Sequence, residues 1–247
     1  MTGFPGGTSI SRLSVYEGQC ADGLAGGTPH LHTASTEAYV VVAGAGELHT
    51  LDASGFTATP LRAGSTVWFT PGTIHRAINH DRLHVVVIMQ NAGLPEAGDA
   101  VMTFPTEVVA DPSAYAQAAA LPLDADPTTI SDAVYRRRDL AVEGFTQLVT
   151  AAQQGDLTPL HDLYAAAVAL VRPKIAGWRE TWTATVERET HRTDQLLDAL
   201  ARGNGEHLRH SVLYESPSTD PPRWGMCGRL GAHDVTHPTV LSGVPSP

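Results

Sequence analysis

Up to about Pro105 the chain consists of short β-branched runs punctuated by Gly, Pro and Asn, whereas from about Thr128 its apolar residues recur at the helical interval. That break constrains the architecture more than any other feature. Strands are expected at residues 10–16, 37–42, 47–51, 66–69 and 83–90, with turn signals at Gly26-Gly27, Gly44-Ala45-Gly46, Ala53-Ser54-Gly55 and Pro71-Gly72. Many short strands at close spacing imply a sandwich or barrel.

Ile130, Val134, Ala141, Phe145, Leu148 and Ala152 mark one amphipathic helix that stops at Gly155. Thr158 reads as the cap of the next, with Pro159 in its first turn, and Pro173 must kink that helix or begin another. A further stripe through Ile175, Trp178, Trp182, Val186, Leu197 and Leu200 ends at Gly203, and its tryptophans read as core or interface residues. The expected organisation is a barrel over residues 1–105, a linker over 106–127, a helical region over 128–215 and an irregular tail over 216–247. The helical region is expected to pack over a face or the mouth of the barrel, and its long apolar stripes suit a homodimer interface.

Composition narrows the function. A formal charge of −10 repels phosphate backbones, so nucleic acid is not an expected partner, and Arg136-Arg137-Arg138 reads as an ordinary helix face followed by Asp139. A DNA-binding regulator would need a basic recognition helix, and none is evident. The apolar runs are too short for a membrane span, the N-terminus lacks the layout of a signal peptide, and the two cysteines, Cys20 and Cys227, form no thiolate motif. The expectation is a cytoplasmic protein without a membrane partner.

The histidines carry the chemistry. His30 and His32 share a strand face, Glu37 follows after a short turn, and His75 comes from a separate hairpin after Pro71-Gly72. Three imidazoles and a carboxylate suit one divalent transition metal, Fe, Mn, Ni, Co or Zn, and leave up to two positions open in an octahedron. His161, His191, His207 and His210 lie in helical surroundings and read as surface or capping groups, and His49, His80 and His84 as surface or rim groups. His233 and His237 lie in a Gly/Pro-flanked stretch that does not favour ligation. Tyr39 shares a strand face with Glu37, so its phenol is a catalytic candidate that reaches substrate or a ligand. Gln90, in phase with Val86 and Ile88, is a second candidate as a polar group in an apolar pocket.

The spacing resembles the two motifs of the cupins. The first reads His30-Leu31-His32, four residues, Glu37, six residues, Gly44; the leading glycine, Gly23, lies one residue further away than the family pattern has it. The second reads Gly64, five residues, Thr70-Pro71-Gly72, two residues, His75, three residues, Asn79, with Thr70 where proline is usual. The resemblance covers about residues 8–105 and implies a jelly-roll, or double-stranded β-helix, barrel with the ligands inside, followed here by an α-helical region. It implies a mononuclear metal enzyme acting on a small organic molecule, with dioxygenase-type oxidation the leading expectation. The alternatives are a metal-dependent isomerase, lyase or decarboxylase, or a non-catalytic small-molecule binder or sensor.

Overall fold

In a computed structural model, residues 3–243 are described. The first half is one antiparallel sheet system: β1 (Ser9–Val15), β2 (His30–His32), β3 (Glu37–Asp52), β4 (Gly55–Arg62), β5 (Thr66–Phe69), β6 (Ile74–Met89) and β7 (Ala100–Met102). Its two long members, β3 and β6, run antiparallel along their lengths. The N-terminal part of β3 is flanked by β5, and its C-terminal part by β4.

The turn expected at Gly44 is instead an irregularity within a continuous strand. Pairing between β3 and β6 slips between Val41 and Gly46, and Gly44 has φ +77°. A Cβ there would lie 2.2 Å from the carbonyl oxygens of Asp81 and Arg82, so only glycine lets the bulged strand approach its neighbour this closely. The same continuity joins His75 to residues 83–89, which the sequence suggests as separate segments.

Helices α1 (Thr106–Val109) and α2 (Pro112–Ala119) occupy the expected linker. They lead to α3 (Pro127–Gln153), α4 (Thr158–Val171), α5 (Ile175–Trp182) and α6 (Arg188–Ala201). Asp126 caps α3 through the amides of Thr128 and Thr129. Thr158 is not a cap: it is the first helical residue of α4, and its amide donates to Asp156. The chain passes Pro173 in a short 3₁₀ turn, as a residue without a donor requires.

Two cores result. Inside the sheets, Leu13, Val15, Tyr39, Val41, Phe69 and Val85 pack together. Outside, Leu31, Leu51, Ile74 and Phe104 meet Phe145, Leu148 and Leu160, which cements the helices to one sheet face. At that seam Gly144 lies so close that a Cβ would stand 2.2 Å from the Thr103 carbonyl, while the Thr103 hydroxyl donates to Ala141 O at 2.9 Å.

The arginine run is not simply a solvated face. Arg138 is fully buried, donating to the carbonyls of Gly18 at 2.8 Å, Gln19 at 2.6 Å and Gly26 at 3.3 Å, with its guanidinium 4.6 Å from the Tyr135 ring. Of the three, Arg136 alone is exposed.

The tail also departs from expectation. It forms β8 (Val212–Glu215), β9 (Arg223–Trp224), β10 (Gly228–Ala232) and β11 (Thr239–Gly243), and β10 pairs with β1, matching Leu230 to Leu13. Its strands are too short for a periodic signal; β10 is held by β1 and carries β9 on its other side, while β8 and β11 pair with each other in a separate two-stranded sheet. No helix among the described residues is long and apolar enough to cross a membrane.

Candidate metal centre

Strand alternation assembles the site. His30 and His32, on β2, are both buried; His30 bridges to His75 on β6, and Glu37 opens β3. The turn preceding His75 is tied to β2 by the Gly72 amide, which donates to His32 O at 2.9 Å. One donor atom from each of His30, His32, Glu37 and His75 lies within 4.8 Å of all the others, so the expected set converges on one point.

Ring orientation follows from the hydrogen bonds. A carbonyl only accepts, so Nδ1–H of His30 donates to Thr28 O at 2.9 Å and Nδ1–H of His75 to Thr73 O at 3.2 Å, which turns each Nε2 toward the other donors as the ligating atom of a neutral ring. Nε2 of His32 and Nε2 of His75 each stand 3.1 Å from Oε2 of Glu37. Two bonds of about 2.1 Å at a right angle end about 3.0 Å apart, so this spacing fits neighbouring donors on one ion. Nε2 of His75 and Oε2 of Glu37 are buried without a hydrogen-bond partner, an arrangement that a cation resolves.

The electrostatics point the same way. Burial works against ionisation of Glu37, but the neighbouring His75 and His32 outweigh it and hold its pKa well below the ordinary range. Burial disfavours charge on His32, yet the Asp99 and Glu37 carboxylates overcome it and lift its pKa to about 9. His30 is pushed well below 6.5 by burial and by the two other imidazoles. A field that draws a proton onto His32 also draws a metal ion, and the two compete.

Three of the four donors, His30, His32 and Glu37, line a cavity of about 220 Å³, whose walls also include Leu13, Tyr39, Val87, Met89, Met226 and Cys227, while His75 lies fully buried behind them. Tyr39 is fully buried, and its hydroxyl faces the Cys227 thiol at 3.7 Å. Burial raises the Tyr39 pKa well above 10 and pushes Cys227 up to about 12, so both are protonated near neutral pH. Gln90 is a correction. The inward positions of β6 are Val85, Val87 and Met89, and alternation turns Gln90 outward, where it is exposed and accepts from the Thr36 amide at 3.4 Å.

Among the residues lining this cavity none comes from α1 to α6; the helices act from behind. Tyr164 donates to Gly72 O at 2.9 Å, Lys174 to Gly98 O at 3.0 Å and Trp178 to Ala97 O at 3.3 Å. They buttress the turn before His75 and the loop between β6 and β7. His49 and His80 pair with Glu47, and His84 with Ser14, away from the donors. A larger hollow of about 500 Å³, lined by Phe4, Arg12 and Tyr214 among others, contains none of the four donors.

Sequence reasoning missed Asp99, Met226 and Cys227. Cys227 was visible only as half of a pair without a motif, and Asp99 carried no local signal.

Residues 21–89 match the family model described as Cupin domain. A search of curated proteins found no match. Three of the solved structures that resemble this chain are each 18% identical to it. An uncharacterized conserved protein with a double-stranded β-helix domain from Klebsiella pneumoniae has a TM-score of 0.29, over 35% of this chain and 69% of that one. The nucleoside dehydratase Pac13 of Streptomyces has a TM-score of 0.31, over 40% and 69%. A predicted oxalate decarboxylase from Thermotoga maritima has a TM-score of 0.26, over 34% and 64%. The family match spans both histidine motifs, and what it identifies in this chain is a cupin domain over residues 21–89.

Proposed function

We propose that this protein is a mononuclear metal-dependent enzyme that acts on a small organic molecule, with dioxygenase-type oxidation as its reaction class. The observation that carries the reading is the convergence of four buried donors, two of their atoms left without hydrogen-bond partners, with three of the four lining a small cavity. His30, His32, Glu37 and His75 would hold the ion, which when bound supplies Lewis-acid or redox chemistry at its open positions.

The remaining residues bind, orient and exclude water. At about 220 Å³ the cavity falls below the roughly 300–1,000 Å³ of drug-sized sites, which favours a compact substrate. Leu13, Val87, Met89 and Met226 present apolar surface to it, and the Tyr39 hydroxyl and Cys227 thiol offer protons for hydrogen bonding rather than abstraction. Glu96 and His233 also line the cavity, so a carboxylate and an imidazole stand at its wall beside the protonated Tyr39 and Cys227. Tyr39 is the candidate to orient the substrate.

The test is elemental analysis of protein purified without chelator, followed by an oxygen-uptake screen against small phenols, thiols and diketones. About one equivalent of a redox-active metal with substrate-dependent oxygen uptake is expected. Metal with ligand binding but no turnover would favour the sensor reading, and absence of metal would refute both.

A further inference from the structure

The three imidazoles are not held alike. Nδ1 of His30 and Nδ1 of His75 each meet a backbone carbonyl two residues earlier, whereas Nδ1 of His32 finds no hydrogen-bond partner and stands 3.4 Å from Oδ2 of Asp99. Asp99 lies in the loop before β7, outside the matched residues 21–89, and is fully buried.

Holding the loop does not account for its charge. Oδ1 accepts from the Thr33 amide at 2.8 Å, the Thr33 hydroxyl at 2.6 Å and the Ala34 amide at 2.8 Å, while Oδ2 accepts from the Ser35 amide at 3.0 Å. Neutral oxygen acceptors would serve those donors. Among the described residues the basic partner of Asp99 within 4 Å is His32, with no lysine or arginine beside it. A carboxylate removed from water without a counterion is costly, so its location asks for a cation nearby.

We propose that Asp99 is a positioning residue for the metal centre, accepting the Nδ1 proton of His32 so that Nε2 faces the ion, and supplying a second buried negative charge. The inference rests on the metal-site reading above. With Glu37 at the ion and Asp99 one imidazole away, two carboxylates neutralise a divalent cation, and His32 becomes the strongest imidazole donor of the three. The helices contribute to this arrangement, because the Trp178 and Lys174 bonds to Ala97 and Gly98 hold the loop that carries Asp99.

The experiment compares Co(II) affinity and the Co(II) visible spectrum in metal-stripped full-length wild type, Asp99→Asn and Thr33→Val. Asp99→Asn keeps a side-chain oxygen for the loop amides, and Thr33→Val loosens the loop while leaving the carboxylate in place. Asp99→Asn should bind about 10–100-fold more weakly with a shifted spectrum, while Thr33→Val should retain wild-type affinity and spectrum. Equal affinity and spectrum in wild type and Asp99→Asn would overturn the assignment of Asp99 and leave the metal site standing. Equal losses in the two variants would reduce Asp99 to a loop support. No Co(II) uptake by wild type would overturn both readings. Should Asp99→Asn fail to fold, ring ¹H–¹⁵N spectra of Zn(II)-loaded wild type decide. An Nδ1–H signal for His32 downfield of those of His30 and His75 is expected, and a proton on Nε2 of His32 would refute the proposal.

Discussion

Arg138→Met tests whether the helical region is an independent appendage or part of the scaffold that holds the cluster of His30, His32, Glu37 and His75. The substitution keeps most of the apolar stem but removes a guanidinium that donates to three carbonyls, those of Gly18, Gln19 and Gly26. Hydrogen bonds to a charged group contribute about 1.5–3 kcal/mol each, but three on one side chain do not add independently. Stripping such a group from a buried cluster costs about 3–5 kcal/mol, a large share of the roughly 5–15 kcal/mol that keeps a domain folded. For a chain of this size that lowers Tm by about 6–20 °C. Arg136→Met, at the exposed neighbour, should change stability by no more than about 0.5 kcal/mol. The residues released by Arg138→Met lead directly into β2, so Co(II) affinity should fall along with Tm. Scanning calorimetry and metal titration of the two variants provide the check; a loss below about 1 kcal/mol for Arg138→Met, with unchanged metal binding, would show that the contact does not couple helices to site.

Other perturbations address the site and the seam. His75→Ala and Glu37→Ala should each lose most bound metal in elemental analysis, whereas His161→Ala should retain it; equal content in all three would refute the ligand assignment. Because His32 carries a proton below about 9 in the metal-free protein and must shed it to ligate, Co(II) affinity should weaken as pH falls. The slope is about tenfold per pH unit near neutrality if one proton is exchanged, and a flat profile would exclude this competition. Removing metal from protein held at about 100 times its Kd should cost about 2.7 kcal/mol, a Tm decrease of about 5–11 °C in thermal melts with and without chelator. Gly144→Ala places a methyl against the Thr103 carbonyl and should destabilise by about 1–3 kcal/mol in urea unfolding, with a midpoint equal to wild type contradicting the close approach.

The four donors were legible in the sequence because each motif encodes local geometry, an H-x-H pair on one strand face and a Pro-Gly turn before a lone histidine. The helices were legible from their apolar interval. Gln90 was placed on the wrong face because Val86 and Ile88 suggested an inward stripe, although apolar residues line both faces of β6. Arg138 and Asp99 are invisible for a different reason: the groups that bury them, the Gly18 and Gln19 carbonyls for one and Thr33 for the other, lie more than sixty residues away, and neither position differs locally from a solvated charge. The tail was obscured by its Pro and Gly content, which matches an irregular segment until β1 supplies the pairing.

Cys227 and Met226 complete a cavity whose donors all lie in the first third of the polypeptide. On the ribosome, His75 emerges some 150 residues ahead of that last wall, so all four side chains of the cluster are made long before the segment that closes the cavity. The four-residue cluster and the wall that closes the cavity beside it are thereby separated in time during biogenesis.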